Sequence, residues 1–158
     1  MNDLVFAPID EAGWRAFESW WRGNAELQRS YTPPTEAYHA YLRTDANVFG
    51  RMVYEHGEPM ALVQVDLEAE GTGHVALVVR PELWNRGHGR RVLGALVKQP
   101  ELSRLKRIVA NVHVNHSRSQ RCFAGAGFVQ QGTEPDEDGF LTFVYTMATD
   151  EGGLTRAT

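Results

Sequence analysis

The 158-residue sequence predicts an α/β (α+β) fold built on a mixed, mostly antiparallel sheet, and three observations carry that prediction. Apolar segments of strand length at 48–55, 59–69 and 74–79 are joined by the tight turns His56-Gly57-Glu58 and Gly71-Thr72-Gly73, the pattern of an antiparallel meander. A helical pattern then stands between the third of these strands and the strand 107–114, and a helix between two strands implies a parallel crossover. Before the meander, Trp14, Phe17, Trp20 and Trp21 recur at three- and four-residue steps, which places an aromatic face on a helix rather than on a strand.

The remaining elements follow in order. Residues 4–9 are short, apolar and interrupted by Pro8, so they read as an opening strand, with Asp10 at the cap position of the first helix. Ala37, Tyr38 and Tyr41 mark a second helix over 34–42. After the turn at 85–91, Val92, Leu93, Leu96 and Val97 mark a helix that Pro100 ends. Residues 117–126 form a short helix closed by Gly127, and strands at 128–131 and 140–147 flank the acidic turn 134–139. Residues 1–148 thus read as one domain, and 149–158 as a flexible tail.

Composition removes several classes of function. A hydrophobic content of 42% suits a single domain with a full core, and the formal net charge of -4, with acids and bases interspersed, argues against nucleic acid or an anionic membrane as a partner. The lone cysteine, Cys122, excludes an internal disulfide or a cysteine-built zinc site, so no metal is expected. No apolar run approaches the roughly 20 residues of a membrane span, and neither export nor insertion is expected, which together predict a cytoplasmic protein.

Chemistry concentrates at 79–91, where an apolar run ends at Pro81 and a cationic, glycine-punctuated turn opens directly into a helical pattern. Gly87 and Gly89 allow close backbone approach, the first N–H groups of the helix have no partner within it, and Arg86, Arg90 and Arg91 add positive charge. Such a turn cradles an anion of pyrophosphate size. The alternative is an ordinary strand-to-helix connection with solvated arginines.

The element order resembles the Gcn5-related N-acetyltransferase superfamily over nearly the whole chain, and two motifs carry the likeness. The superfamily's run of arginine or glutamine, two residues, glycine, one residue, then glycine or alanine falls on Arg86, Gly89 and Arg91, with Arg91 departing at the last position. The spacing from Val79 through Pro81, Glu82 and Trp84 is similar to the branch of ribosomal-protein N-terminal alanine acetyltransferases. Downstream, the segment from Ser119 to Gly127-Phe128 resembles the superfamily's stretch beside the pantetheine arm. The resemblance implies a sheet of about seven strands, helices on both faces and a splay between the fourth and fifth strands. It implies acetyl-CoA as co-substrate, with the pyrophosphate on Arg86, Gly87, His88, Gly89, Arg90, Arg91 and Val92, and the pantetheine arm on the backbone of Leu77, Val78 and Val79. Asn115 or His116, together with Ser119, Cys122 and Phe123, would complete the coenzyme site. A homodimer is common in the superfamily.

Acetyl transfer needs a neutral amine, a stabilised oxyanion and a proton for the thiolate. The tyrosine that often supplies that proton in the superfamily is Phe123 here, and the carboxylate found in many members on the fifth strand aligns with Asn111. His74 and His113 are candidate bases because imidazole titrates near neutrality, and Asn111 is a candidate hydrogen-bond partner of the acceptor. Cys122 has no base arranged beside it and reads as a packing residue. The acceptor, a small-molecule amine or a protein N-terminus, would meet Trp20, Trp21, Tyr31 and Tyr38 and a strand face carrying Leu62, Gln64, Asp66, Glu68 and Glu70. Core tryptophans and a solvated acidic face are the competing reading. The leading function is an N-acetyltransferase working by direct attack in a ternary complex. A non-catalytic acyl-CoA-binding or sensing domain is the alternative, and a nucleic-acid module through Arg86, Arg90, Arg91, Lys106, Arg107 and Arg118 the remote one.

Overall fold

A computed structural model describes residues 3–148. The order is β1 (Leu4–Ala7), α1 (Glu11–Arg22), α2 (Ala25–Ser30), α3 (Glu36–Thr44), β2 (Val48–Glu55), β3 (Glu58–Glu68), β4 (Thr72–Val79), α4 (His88–Leu96), β5 (Arg107–His113), α5 (Ser117–Gly125), β6 (Val129–Gln131) and β7 (Phe140–Thr146). The expected tail from 149 onward lies outside the described residues.

Three helices precede the meander where two were expected. Gly23 ends α1, and the side chain of Asn24 caps a separate α2 by accepting from the Leu27 N–H at 3.0 Å. Thr35 then caps α3, two residues later than the predicted start, because the Pro33-Pro34 pair holds the chain extended before it.

The strands form one sheet in the order β1-β2-β3-β4-β5-β7-β6. Only β4 and β5 are parallel, as the crossover through α4 requires. One face carries Val63, Val65, Ile108, Ala110 and Val112 against Val92, Leu93 and Leu96 of α4 and Phe123 of α5. The other carries Met52, Leu62 and Val78 against Trp14, Phe17, Trp20, Leu27 and Leu42. Strand alternation sends neighbouring residues of β3 and β4 to opposite cores.

The feature that positions the site is a fork. The β4–β5 ladder runs only through Thr72–Arg107, Gly73–Ile108 and His74–Val109. Beyond His74, β4 stays paired with β3 as far as Val79, while β5 stays paired with β7 as far as His113. Helix α4 packs on β4 and α5 on β5, so each strand is carried with its own helix on either side of the gap.

Candidate active site

The glycine turn is built by backbone conformation. Asn85 and Gly87 take positive φ, at 64° and 83°, which reverse the chain after Trp84 and make Gly87 the cap of α4. The first ladder bond of α4 runs from Arg91 N–H to Gly87 C=O at 3.2 Å. The outward donors are therefore those of His88, Gly89 and Arg90. Val92 is fully buried and its N–H belongs to the helix ladder, so it drops out of the expected cradle.

The arginines separate. The Arg90 side chain lies across Gly125 of α5, where an added Cβ would come within 2.9 Å of Arg90 Cδ, and so stays beside the cradle. Arg86 is exposed and does not line the cleft. Arg91 turns to the outer surface, where its guanidinium holds the Glu55 carboxylate and lies 2.9 Å from His88 Nδ1. Its hydrogen bond, opposed in part by burial, keeps the Glu55 carboxyl below the ordinary value of 4.5. A carboxylate lowered in the folded state stabilises above its unfolded value and loses that contribution as pH falls through the folded one. Arg91→Ala is therefore expected to leave coenzyme binding within about twofold and to lower stability by less than about 1 kcal/mol at neutral pH. Thermal melts of variant and wild type should converge as the pH drops below the carboxylate range, and a lost coenzyme affinity would return Arg91 to the cradle.

From the turn, a cleft of about 410 Å³ extends into the fork. Gly87, His88, Gly89 and Arg90 line its mouth, Leu77, Val78, Val79, Tyr31 and Leu27 one wall, and Arg118, Ser119, Arg121, Cys122 and Phe123 the other. Gly89 faces Cys122 so closely that a Cβ there would lie 2.7 Å from Sγ. Burial pushes the Cys122 thiol up, against the pull of Arg90 and Arg118, which makes it a wall and not a nucleophile.

The β4 edge has a definite polarity. Arg80 N–H donates to Met60 C=O at 2.8 Å, so by alternation the peptide groups of Val78 face β3 and those of Leu77 and Val79 face the fork. Val78 is thus a core residue rather than a backbone partner in the cleft. Two side chains take the fork-facing carbonyls. The Trp84 indole N–H donates to Val79 C=O at 2.7 Å, and the Tyr31 hydroxyl donates to Leu77 C=O at 2.8 Å. The matching N–H groups have no strand partner on that side among the described residues. Arg118 stacks 3.9 Å over the Trp84 ring and pairs with Glu26, tying α5 to α2 beside the cleft.

On the helical face next to the fork, Ala76 is exposed in the central strand, opposite Gln64 of β3. Around it, Tyr38 donates to Gln64 Oε1 at 2.5 Å, Tyr41 to Asp66 Oδ1 at 2.8 Å, and Gln64 Nε2 to the same carboxylate at 3.0 and 3.1 Å. Burial and then the Asp66 charge push Tyr38 up to about 12, while the bond to Asp66 does the same for Tyr41. His74 pairs with Asp66 across the β3–β4 ladder and is the last β4 residue before the fork opens. Its Nε2 lies 3.0 Å from Glu68 Oε1, off the angle of a hydrogen bond, and has no hydrogen-bond partner among the described residues.

Other expected site residues lie elsewhere. His113 accepts from Asn115 N–H at 3.1 Å and packs edge-on to Phe140 and against Gly139, a structural place at the sheet end. Neither Asn115 nor His116 lines the cleft. Asn111 is exposed on β5 and accepts from Thr142 Oγ1 at 3.2 Å. Trp20 is buried in the core, and Trp21 donates to Tyr31 C=O at 3.4 Å, so these tryptophans support the site rather than face it. Glu70 leaves the strand face because it sits in a turn at φ 68°. Phe123 does line the cleft, its ring edge-to-face with Phe128 at 5.1 Å. Sequence reasoning missed Trp84, Glu26 and Arg118 as a unit. Their partners are remote in the chain, and an aromatic one residue from the glycine turn was the only local signal.

The family described as "Acetyltransferase (GNAT) family" matches residues 14–128. Among curated proteins, the chain is 31% identical over 109 residues to "Uncharacterized N-acetyltransferase YfmK" of Bacillus subtilis (strain 168), covering 69% of this chain and 73% of that one. Solved structures share the fold. Aminoglycoside acetyltransferase AAC(6')-Ib in complex with coenzyme A and kanamycin superposes with a TM-score of 0.73 at 18% identity, covering 98% of this chain and 99% of that one. Spermidine N-acetyltransferase from Vibrio cholerae in complex with CoA and spermine does so with a TM-score of 0.75 at 15% identity, covering 94% and 98%.

Proposed function

The chain belongs to the acetyltransferase (GNAT) family and is an N-acetyltransferase that uses acetyl-CoA, and on that premise we propose that its acceptor is a cationic primary amine entering over Ala76. The exposed alanine in the central strand carries this reading. It leaves the sheet uncovered where the fork opens, between the Gln64–Asp66 pair and His74. A small floor with one carboxylate and two tyrosine hydroxyls at its rim suits an alkylammonium that sheds one proton before attack and keeps another charge bound. Two proteins of the same fold were solved with kanamycin and with spermine, each a molecule with several amino groups, which agrees with this chemistry.

The residues fit the coenzyme. An anion cradle that a Cβ would fill, and a strand edge with two N–H groups facing an apolar cleft, match a pyrophosphate followed by an amide-bearing arm. His88, Gly89 and Arg90 hold the phosphates, Leu77 and Val79 the arm. Bound there, the coenzyme supplies a thioester, an acyl group open to nucleophiles. The Leu77 N–H stabilises oxyanion charge, and His74, beside Glu68, receives the proton of the incoming ammonium. Asn111 shares that face of the sheet and supplies a hydrogen bond to the acceptor. The lone thiol Cys122 and the coenzyme's chemistry are in keeping with a cytoplasmic site of action.

An amine panel followed by release of free thiol tests the reading. Polyamines and aminoglycosides are expected to turn over faster than neutral amines or peptide N-termini. Asp66→Asn should raise KM for the charged amines by about tenfold, one charge-assisted contact, while leaving neutral ones unchanged. Equal loss on all acceptors would show that Asp66 only braces Tyr41. Faster turnover of N-terminal peptides would assign the acceptor to proteins instead.

A further inference from the structure

We propose that the Tyr31 hydroxyl is the proton donor to the coenzyme sulfur as it leaves, in the place where Phe123 offers none. The inference rests on the acetyltransferase reading of this site. It begins from the course of the cleft. The cradle lies at Gly87–Arg90, the open β4 edge reaches Val79 first and Leu77 further in, and the Tyr31 hydroxyl is fastened to Leu77 C=O at 2.8 Å. An arm extending from the cradle along that edge brings its thioester end to Tyr31.

Several other polar side chains lining the cleft are spent or unsuited. Arg118 is bound to Glu26 and stacked on Trp84, and His88 faces Arg91. Ser119 lies in the first turn of α5, and its aliphatic hydroxyl is a far weaker acid than a phenol. Cys122 is an apolar wall against Gly89. Tyr31 itself is held in place. Its backbone carbonyl accepts from Trp21, and its N–H closes α2 on Leu27 C=O at 2.9 Å. Tyr31 packs against the same helical-face core as Trp84 of the cleft and Tyr38 of the acceptor cluster.

The step balances. The amine nitrogen bonds to the acetyl carbon, and the carbon–sulfur bond breaks with its electron pair passing to sulfur. Sulfur takes the Tyr31 proton, and the Tyr31 oxygen takes the proton that the nitrogen gives up. Burial, ahead of the charges around it, pushes the Tyr31 hydroxyl up to about 12, so it enters each cycle protonated and the relay runs without a lasting phenolate.

Tyr31→Phe keeps the ring and both backbone bonds and removes only the hydroxyl. The first measurement needs no turnover. Coenzyme A bound to wild type and to Tyr31→Phe is titrated by its thiolate absorbance, with coenzyme-free protein subtracted to remove Cys122. A hydroxyl aimed at the sulfur should make the bound thiol ionise about one pH unit lower in wild type. In steady state, kcat with acetyl-CoA should fall by about 100-fold while coenzyme affinity stays within about threefold. That deficit should shrink for acetyl thioesters of more acidic thiols, which need less help to leave. Equal thiol ionisation in the two proteins, or a deficit independent of the leaving thiol, would overturn the proposal. Wild type inactive on every amine would count against the acetyltransferase reading, and the thiol titration would still decide Tyr31.

Discussion

Gly89→Glu is expected to raise the dissociation constant for acetyl-CoA by about 1,000-fold, about 4 kcal/mol, while the protein stays folded. Two effects with opposite consequences meet at this position. In the first turn of α4, replacing glycine by glutamate favours the helix by about 0.5–1 kcal/mol in propensity. A negative charge at the positive end of the helix dipole adds a few tenths more. The side chain, however, begins 2.7 Å from Cys122 Sγ and 3.6 Å from Val79, so it must enter the cleft, carrying its charge to the N–H groups proposed to meet the phosphates. Calorimetric binding and a thermal melt separate the two. Combining Gly89→Glu with Cys122→Ala relieves the contact with sulfur and leaves the charge, so binding should stay weak in the double variant. Affinity unchanged in the single variant would remove the cradle from the coenzyme site.

A pair of proline substitutions tests the fork with nearly as large an effect. Val79→Pro deletes an N–H that faces the cleft and has no strand partner among the described residues, so the sheet loses no ladder bond, and the Val79 carbonyl that Trp84 contacts is kept. Coenzyme affinity should drop by about 100-fold, from a lost hydrogen bond and a ring intruding on the slot, with thermal stability close to that of wild type. Val78→Pro, one residue away, removes a donor to β3 and a buried valine. Its cost is unfolding, with at least about 3 kcal/mol lost by urea titration from an orphaned carbonyl and a core cavity. The two outcomes exchanged would mean that the strand polarity is inverted.

The crossover and the glycine turn were legible because each depends on a few neighbouring residues. Proline after a strand, glycine at a positive φ and the apolar period of α4 are local properties, and they survive into the structure unchanged. The extra helix α2, in the stretch between the two expected helices, was also written locally, in the Gly23-Asn24 stop and cap, but its six residues are too few to show an apolar period. Arg91 shows the opposite case. Its place in a basic, glycine-rich motif suggests a phosphate ligand, yet Glu55, on β2, takes its guanidinium. His113 and Trp20 likewise matched a chemical or compositional pattern, while packing against Phe140 and in the core of α1 fixed what they do. Tyr31 stood in the sequence only as one aromatic among several, and its bond to Leu77 spans 46 positions.

By itself the sequence determined the succession of strands, the parallel step through α4, the glycine turn before that helix and the family resemblance, since periodicity, capping and turn chemistry act over single turns and strands. Tertiary structure alone decided that the β4–β5 ladder stops at His74, that Leu77 and Val79 rather than Val78 open toward the slot, and that the Tyr31 hydroxyl reaches the Leu77 carbonyl. Those are matters of register and of contacts between segments far apart in the chain. They are set by how two cores pack on opposite faces of one sheet, an energy that no short window of residues contains.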